Sequence, residues 1–231
     1  MTVFALRETT DLDPARSSGG RVEVAFTDAS IDLAGGDGFA AALAGLAEAI
    51  GVPVAWAHQV HGDGVVAVEH ADDSGPEADG LVTAARGLAL MVRVADCVPV
   101  VLADPGAGVV GVAHAGRRGV ELDVVTRTVE RMRELGATDL HAWVGPHICG
   151  RCYEVPATLR DEVAARVPAT YAETSWGTPG LDLGAGVAAQ LSAAGVAVTA
   201  VPGCTLEDDR FHSYRRDGAA AGRFAGLVWL S

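Results

Sequence analysis

Imidazole and thiol groups are the side chains that hold zinc, and this chain carries them where they could act together. His58 and His61 stand three residues apart in Ala57-His-Gln-Val-His-Gly62, Cys97 lies between two apolar runs, and His114 ends a third. Three protein ligands of this kind leave a fourth position for water or substrate, whereas a structural zinc site is normally closed by a fourth ligand. Either His58 or His61 can be the ligand while the other supports the turn, and a closed site would use both. Asp96 precedes Cys97 and offers a carboxylate to orient an imidazole or carry a proton. Arg117 and Arg118 follow His114 and can grip phosphate bidentately, though a solvated turn accounts for the pair almost equally well. Singly, each candidate has a plainer explanation, as a hydrogen-bonded structural His or a small core Cys. What favours function is that three of the seven His and one of the four Cys fall in glycine-bordered turns after strand-like runs, where active-site residues concentrate.

The elements that must position these groups follow from hydrophobic periodicity. Residues 21–26 alternate like a strand, Asp37-Gly38 opens an Ala-rich helix through residue 50, and a short strand at 54–56 delivers His58 and His61 into a loop. Strand character resumes at 65–68, and the acidic stretch 71–80 reads as a solvated connection. Runs 88–94, 98–102 and 109–113 are almost continuously apolar, as expected of strands buried on both faces. Leu122, Val125, Val129, Met132 and Leu135 recur at helical spacing and stop at Gly136. Beyond them the pattern predicts a strand at 140–144, a helix from Pro156 to about 166, a loop at 174–180, a helix at 181–194, and strands at 196–201 and 224–230. Residues 1–20 contain many turn formers and read as a partly ordered lead-in. Helices and strands interleave without strict alternation, which predicts one layered α/β or α+β domain over 21–231, a mixed β-sheet with flanking helices.

Composition narrows the partners. At 231 residues, with 49% hydrophobic and 20% charged residues, the chain suits a soluble protein with one well-buried core. It has no apolar stretch of bilayer length and an N-terminal sequence unlike a secretory signal, so a cytoplasmic protein is expected. A net charge of -13 argues against nucleic acid or an anionic membrane as partner and for a small ligand, while leaving the oligomeric state open. All 17 basic residues are Arg, which excludes Schiff-base, pyridoxal-phosphate and P-loop lysines. Four irregularly spaced cysteines, including the Cys149-Gly-Arg-Cys152 pair and Cys204, read as thiols and not as a disulfide framework.

Several blocks carry a family resemblance. Ala57-His-Gln-Val-His-Gly62, Ala95-Asp-Cys-Val-Pro-Val100, Gly111-Val-Ala-His-Ala-Gly-Arg-Arg-Gly119, Cys152-Tyr-Glu-Val155 and Ser213-Tyr-Arg-Arg-Asp-Gly218 resemble the YfiH-type laccase-domain proteins. Older naming calls these multi-copper polyphenol oxidoreductases, and newer naming calls them purine nucleoside phosphorylases. The resemblance implies a zinc site made of His61, Cys97 and His114. It also implies phosphorolysis of adenosine, inosine or guanosine, with adenosine deamination and methylthioadenosine phosphorolysis as companion activities. Ala29 stands where the family pattern leads one to expect Arg, and Val187 where it has Asn. The first departure bears on phosphate binding.

Zinc in such a site lowers the pKa of bound water from about 15.7 to about 7, and hydroxide attack at C6 of adenine is deaminase chemistry. Asp96 and Glu154 are the candidate proton carriers. For phosphorolysis, Arg117 and Arg215 are candidates for phosphate, and Gln59 or His58 for the nucleoside. Copper oxidase chemistry is the first rival, although no His-x-His pair occurs in the chain. A thiol hydrolase using Cys97 with His114 as base is the second. A non-catalytic protein stabilised by zinc, with His58 closing the site, is the third.

Overall fold

The computed structural model describes residues 3–11, 20–72 and 74–231. Strands β1 (Phe4–Asp11) and β2 (Arg21–Thr27) precede helix α1 (Phe39–Ile50) and strands β3 (Val54–Ala55), β4 (Val65–Ala67) and β5 (Gly80–Thr83). Three long strands follow, β6 (Ala89–Val94), β7 (Val98–Asp104) and β8 (Val109–Ala115), then helices α2 (Arg117–Glu121) and α3 (Val124–Glu134) and strand β9 (His141–Val144). The C-terminal third contains α4 (Ala157–Arg166), β10 (Tyr171–Glu173), β11 (Pro179–Leu181), α5 (Leu183–Ala193), β12 (Ala197–Ala200), α6 (Tyr214–Asp217) and β13 (Phe224–Leu230).

Two mixed sheets result, one ordered β1-β2-β13-β6-β3 and the other β12-β9-β7-β8-β5-β4, with β10 and β11 forming a separate hairpin. The period-two alternation of a strand assigns the layers. In β7, Val101 and Ala103 enter a core shared with Val24, Phe26, Val92 and Val228 of the first sheet. Val100 and Leu102 enter a core with Val125, Val129 and Met132 of α3 and Val187 and Leu191 of α5. In β6, Leu90 and Val92 face the second sheet, while Ala89 and Met91 face α1 through Leu46 and Ile50. The order of layers is helix, sheet, sheet, helix. Both sheets are covered on both faces, which is why their central strands are apolar runs and not alternating ones.

Among the described residues, four connections pass between the sheets, and the two that run from the first sheet to the second carry the candidate ligands. β6 of the first sheet runs through Ala95, Asp96 and Cys97 directly into β7 of the second, and β3 of the first is joined to β4 of the second through the loop carrying His58 and His61. Candidate metal ligands therefore sit on the seam between the sheets.

The single domain of mixed sheets and flanking helices matches the expected fold class. Local expectations differ at four places. Part of the supposed lead-in, Phe4–Asp11, is a strand paired along its length with β2, while residues 12–19 lie outside the described residues. β1 is a largely exposed edge strand, so its sequence carries no apolar alternation. Its position is set by pairing and by Trp143 Nε1 donating to Glu8 Oε2 (3.0 Å). The acidic 71–80 stretch ends in the buried pair Asp79 and Gly80, and Gly80 starts strand β5. The expected loop at 174–180 contains the start of β11. The helix expected from Leu122 begins at Val124, because Asp123 adopts φ 61° and its carboxylate accepts from Thr126 N–H at the helix start.

Phe26 is fully buried between the sheets, and a Cβ built on Gly145 would meet its ring at 2.2 Å. Phe26→Ala is expected to cost about 3–5 kcal/mol of unfolding free energy in denaturant titration. Gly145→Ala should destabilise through overpacking, read in the same titration.

Candidate metal centre and cavity

Asp79 organises the site. Its carboxylate is buried and accepts three consecutive backbone N–H groups, from Val60 (3.2 Å), His61 (3.0 Å) and Gly62 (2.6 Å). That nest holds His61 at φ 58°, a left-handed conformation unusual for a residue with a Cβ. The same carboxylate accepts from His114 Nδ1 at 2.7 Å. A carboxylate can only accept, so Nδ1 carries the proton and Nε2 is left to face Cys97 and His61. His114 reaches this place because it is on β8, whose backbone N–H also bonds to Asp79 O (2.7 Å).

Cys97 completes the group. The donor atoms of His61, Cys97 and His114 all lie within 4.8 Å of one another, with Cys97 Sγ 3.8 Å from His61 Nε2. The preceding Asp96 takes φ 82° at the crossover between sheets. Gly116 passes so close that a Cβ there would meet His61 Cδ2 at 2.7 Å and Cys97 Sγ at 3.1 Å, so the turn after His114 requires glycine. Burial alone would raise the Cys97 pKa, but the two imidazoles, His114 foremost, bring it down to about 6. Burial alone would lower that of His114, but Cys97 and Asp79 push it up to about 9. Two nitrogens and a sulfur ready to lose its proton fit a borderline-soft divalent ion, and the Asp79–His114 pair is the outer hydrogen bond that ligating imidazoles normally have. The row Cys97–His114–Asp79 is also what a thiol nucleophile uses, but that chemistry gives His61 no part.

The triad opens on a cavity of about 710 Å³. Ile148, Tyr153 and Leu183 give it apolar surface, and Arg93, Arg117, Arg215 and Arg223 line it with guanidinium groups. Arg117 Nη1 is paired with Glu121 Oε2 (2.6 Å). Arg215 lies over the Tyr153 ring at 5.0 Å and donates from Nη1 to Glu154 O (2.9 Å). Burial and Cys97 raise the Tyr153 pKa, which keeps its phenol protonated.

The remaining expected site residues divide in two. Asp96 and Gln59 line the cavity, yet their polar atoms already hold the walls together. Asp96 accepts from Thr205 Oγ1 (2.6 Å) and Arg215 N (2.5 Å), and the Gln59 amide both donates to Arg93 O (2.8 Å) and accepts from Arg93 N (2.9 Å). His58 and Glu154 are outside the cavity lining. His58 Nε2 bonds to Ser74 O (2.7 Å) with its ring against Trp56, so it does not close the metal group. Glu154 accepts from Trp176 Nε1 (2.6 Å). Arg118 is exposed.

Three residues of the site lie outside the expected set. Asp79 ends an acidic loop, and Arg223 directly precedes the last strand. Arg93 is a lone charge inside the apolar run of β6, a pattern that marks it. Its guanidinium is held by Leu33 O (3.1 Å) and Ala57 O (3.3 Å) and stacks on Phe39 and Trp56.

A two-sheet, four-layer domain with a His–Cys–His group on its seam and a cationic cavity beside it defines a candidate metalloenzyme of α/β type. Residues 24–231 match the sequence pattern of the family described as multi-copper polyphenol oxidoreductase laccase, and the chain belongs to that family. It is 55% identical over 183 residues to a purine nucleoside phosphorylase of Streptomyces griseus, covering 77% of this chain and 74% of that one. It is 49% identical over 198 residues to a purine nucleoside phosphorylase of Mycobacterium tuberculosis, covering 83% and 79%. Among solved structures, a Neisseria meningitidis protein superposes with a TM-score of 0.81 at 28% identity, covering 96% of this chain and 99% of that one. YlmD from Geobacillus stearothermophilus gives 0.78 at 28% identity, covering 99% and 98%.

Two outcomes are expected from the geometry. Asp79→Asn removes the charge and turns one of the two accepting oxygens into a donor, so either the Val60 and Gly62 amides or the His61 amide and His114 Nδ1 lose their acceptor, and zinc affinity, measured against a competing chelator, should fall by about 10–100-fold. In metal-free protein, alkylation of Cys97 by iodoacetamide should rise with pH around a midpoint of about 6, whereas an unperturbed thiol has its midpoint near 8.5. Added zinc should suppress the reaction.

Proposed function

We propose that the chain is a zinc-dependent purine nucleoside phosphorylase acting on adenosine, inosine or guanosine, with adenosine deamination and methylthioadenosine phosphorolysis as companion activities. The observation that carries this reading is one cavity that joins the His61, Cys97 and His114 group to four arginines in a chain of net charge -13. Relatives bearing the phosphorylase name support it.

In phosphorolysis a phosphate oxygen bonds to C1′ of the ribose and the glycosidic bond breaks. Its electron pair leaves with the purine, which takes up a proton. The products are ribose-1-phosphate and free base. The reaction needs an anion site beside a flat apolar one. Arg117 and Arg215 are assigned to phosphate, and guanidinium geometry suits them to it. Arg223 and Arg93 add positive charge beside the 28–35 segment, where Ala29 replaces the expected Arg; Arg223 N–H bonds to Asp32 and Arg93 to Leu33 of that segment. Ile148, Tyr153 and Leu183 offer surface for the purine, and the protonated Tyr153 phenol offers a donor. A zinc ion held by His61, Cys97 and His114 would supply Lewis-acid stabilisation of negative charge developing in the cavity. Asp79 keeps His114 in the tautomer that such a site requires.

Zinc is preferred to copper because laccase chemistry needs many more imidazoles than this group offers. Among the described residues, the other cluster able to hold a metal contains no His. A thiol hydrolase remains a second reading, favoured by the Cys97–His114–Asp79 row alone. Free thiols at all four cysteines suit a reducing compartment, and we place the protein in the cytoplasm.

Purified protein with adenosine should release adenine only when phosphate is present, with inosine reporting any deamination. Arg117→Ala should lower the phosphorolytic rate by about 10²-fold while metal content is unchanged. Cys97→Ala should lose the zinc of the His61 group and activity together. Adenine release without phosphate, or full activity in Cys97→Ala, would overturn the assignment, and activity that survives chelation but not alkylation would establish the hydrolase.

A further inference from the structure

A second cluster of metal-ligating side chains lies apart from the triad. The Sγ atoms of Cys149, Cys152 and Cys204 and a carboxylate oxygen of Glu207 all lie within 4.8 Å of one another. We propose that these four residues form a closed, structural zinc site that staples the 148–153 wall of the cavity to the segment 204–207 behind it.

The donor set argues for zinc. Three thiolates and a carboxylate make four protein ligands, and a site with all four positions filled by protein is structural and not catalytic. Tetrahedral coordination with Zn–S of about 2.3 Å places sulfurs about 3.8 Å apart, in keeping with donor atoms that already lie within 4.8 Å of one another. The Cys-x-x-Cys spacing of Cys149 and Cys152 is the one common to zinc knuckles.

The backbone around the sulfurs has the form that thiolate sites use. Cys149 starts a turn in which its carbonyl accepts from Cys152 N and Tyr153 N, both at 2.9 Å. Cys204 starts another, its carbonyl accepting from Glu207 N (3.1 Å) and Asp208 N (2.9 Å). The N–H of Cys149 points across to Cys204 Sγ at 3.5 Å, and the N–H groups of Leu206 and Glu207 are directed at the same sulfur. Those amides favour the anionic sulfur, much as outer-sphere partners do at other metal sites, while burial and the Cys149 thiol hold the pKa of the metal-free Cys204 up. The two segments are already in register, since His147 N bonds to Gly203 O (3.3 Å) and Thr205 N to His147 O (3.1 Å). The ligands are thus brought together before any ion arrives.

The position says what the staple would do. Ile148, before Cys149, and Tyr153, after Cys152, both line the cavity. Thr205, after Cys204, donates to Asp96 beside Cys97. An ion fixing these cysteines fixes the wall on which substrate would rest, and it takes no part in bond making. Binding would displace the thiol protons to solvent.

The decisive measurement is metal content by mass spectrometry of the full chain, purified under reducing conditions. Wild type should carry two zinc ions per chain, and Cys97→Ala, which leaves the thiol cluster untouched, should carry one. In Cys97→Ala, cobalt exchanged for that zinc should give a strong thiolate-to-metal charge-transfer band and tetrahedral d–d bands, and chelation should lower the melting temperature. A Cys149→Ser, Cys204→Ser double variant should retain one zinc at the His61 group. Wild type with a single zinc and Cys97→Ala with none would overturn the proposal. So would an intact mass showing two hydrogens lost to a disulfide among the three cysteines. Because the readout is metal stoichiometry, it stands or falls separately from phosphorylase activity.

Discussion

One buried carboxylate determines the geometry of the triad. Asp79 could not be left without partners at this depth, since an isolated buried charge is far costlier than a paired one. It is satisfied by three amides of the His61 turn and by the His114 ring. Each bond does two things at once. The amides neutralise the carboxylate and impose the left-handed turn that aims His61; the imidazole neutralises it and presents Nε2 to the thiol. Burial holds the Asp79 pKa up less than these partners pull it down, so the carboxylate stays ionised in the range where the thiolate exists.

The fold provides the depth. Covering both faces of both sheets leaves the sandwich interior dry and rigid, and the reactive groups appear only where the chain leaves it. Cys97 and His61 lie in passages between sheets and His114 near the end of β8. Rigid strands on either side of short turns are what allow three donors from distant segments to meet within 4.8 Å.

Much of this was legible in the sequence. The long central strands, α1 and α3 announce themselves by apolar runs or helical spacing, and the triad stood out because reactive residue types followed strands into glycine-bordered turns. Other parts could not be read locally. Asp79 looks like its solvated neighbours because its burial is decided by β5 pairing with β8, a contact between distant segments. β1 looks like a loop because an exposed edge strand needs no apolar face. His58 and His61 look equivalent in sequence, and only the Asp79 nest separates them, turning one toward the thiol and leaving the other against Trp56. Gln59 reads as a substrate-facing amide, but its side chain imitates a strand partner for Arg93. In each case a long-range contact overrode what the neighbouring residues suggested.

The passages that carry His61 and Cys97 have a consequence for the energetics of the molecule. All three donors are tied to the second sheet: Cys97 directly precedes β7, His114 lies opposite β7 in β8, and the His61 turn is held by Asp79 at the start of β5. An ion bound by all three would pin the passage between β3 and β4 to the ends of β7 and β8. By linkage, the free energy of its binding would also be free energy of docking that passage. A loop held by hydrogen bonds to one carboxylate would then become a joint whose stiffness depends on the metal supply.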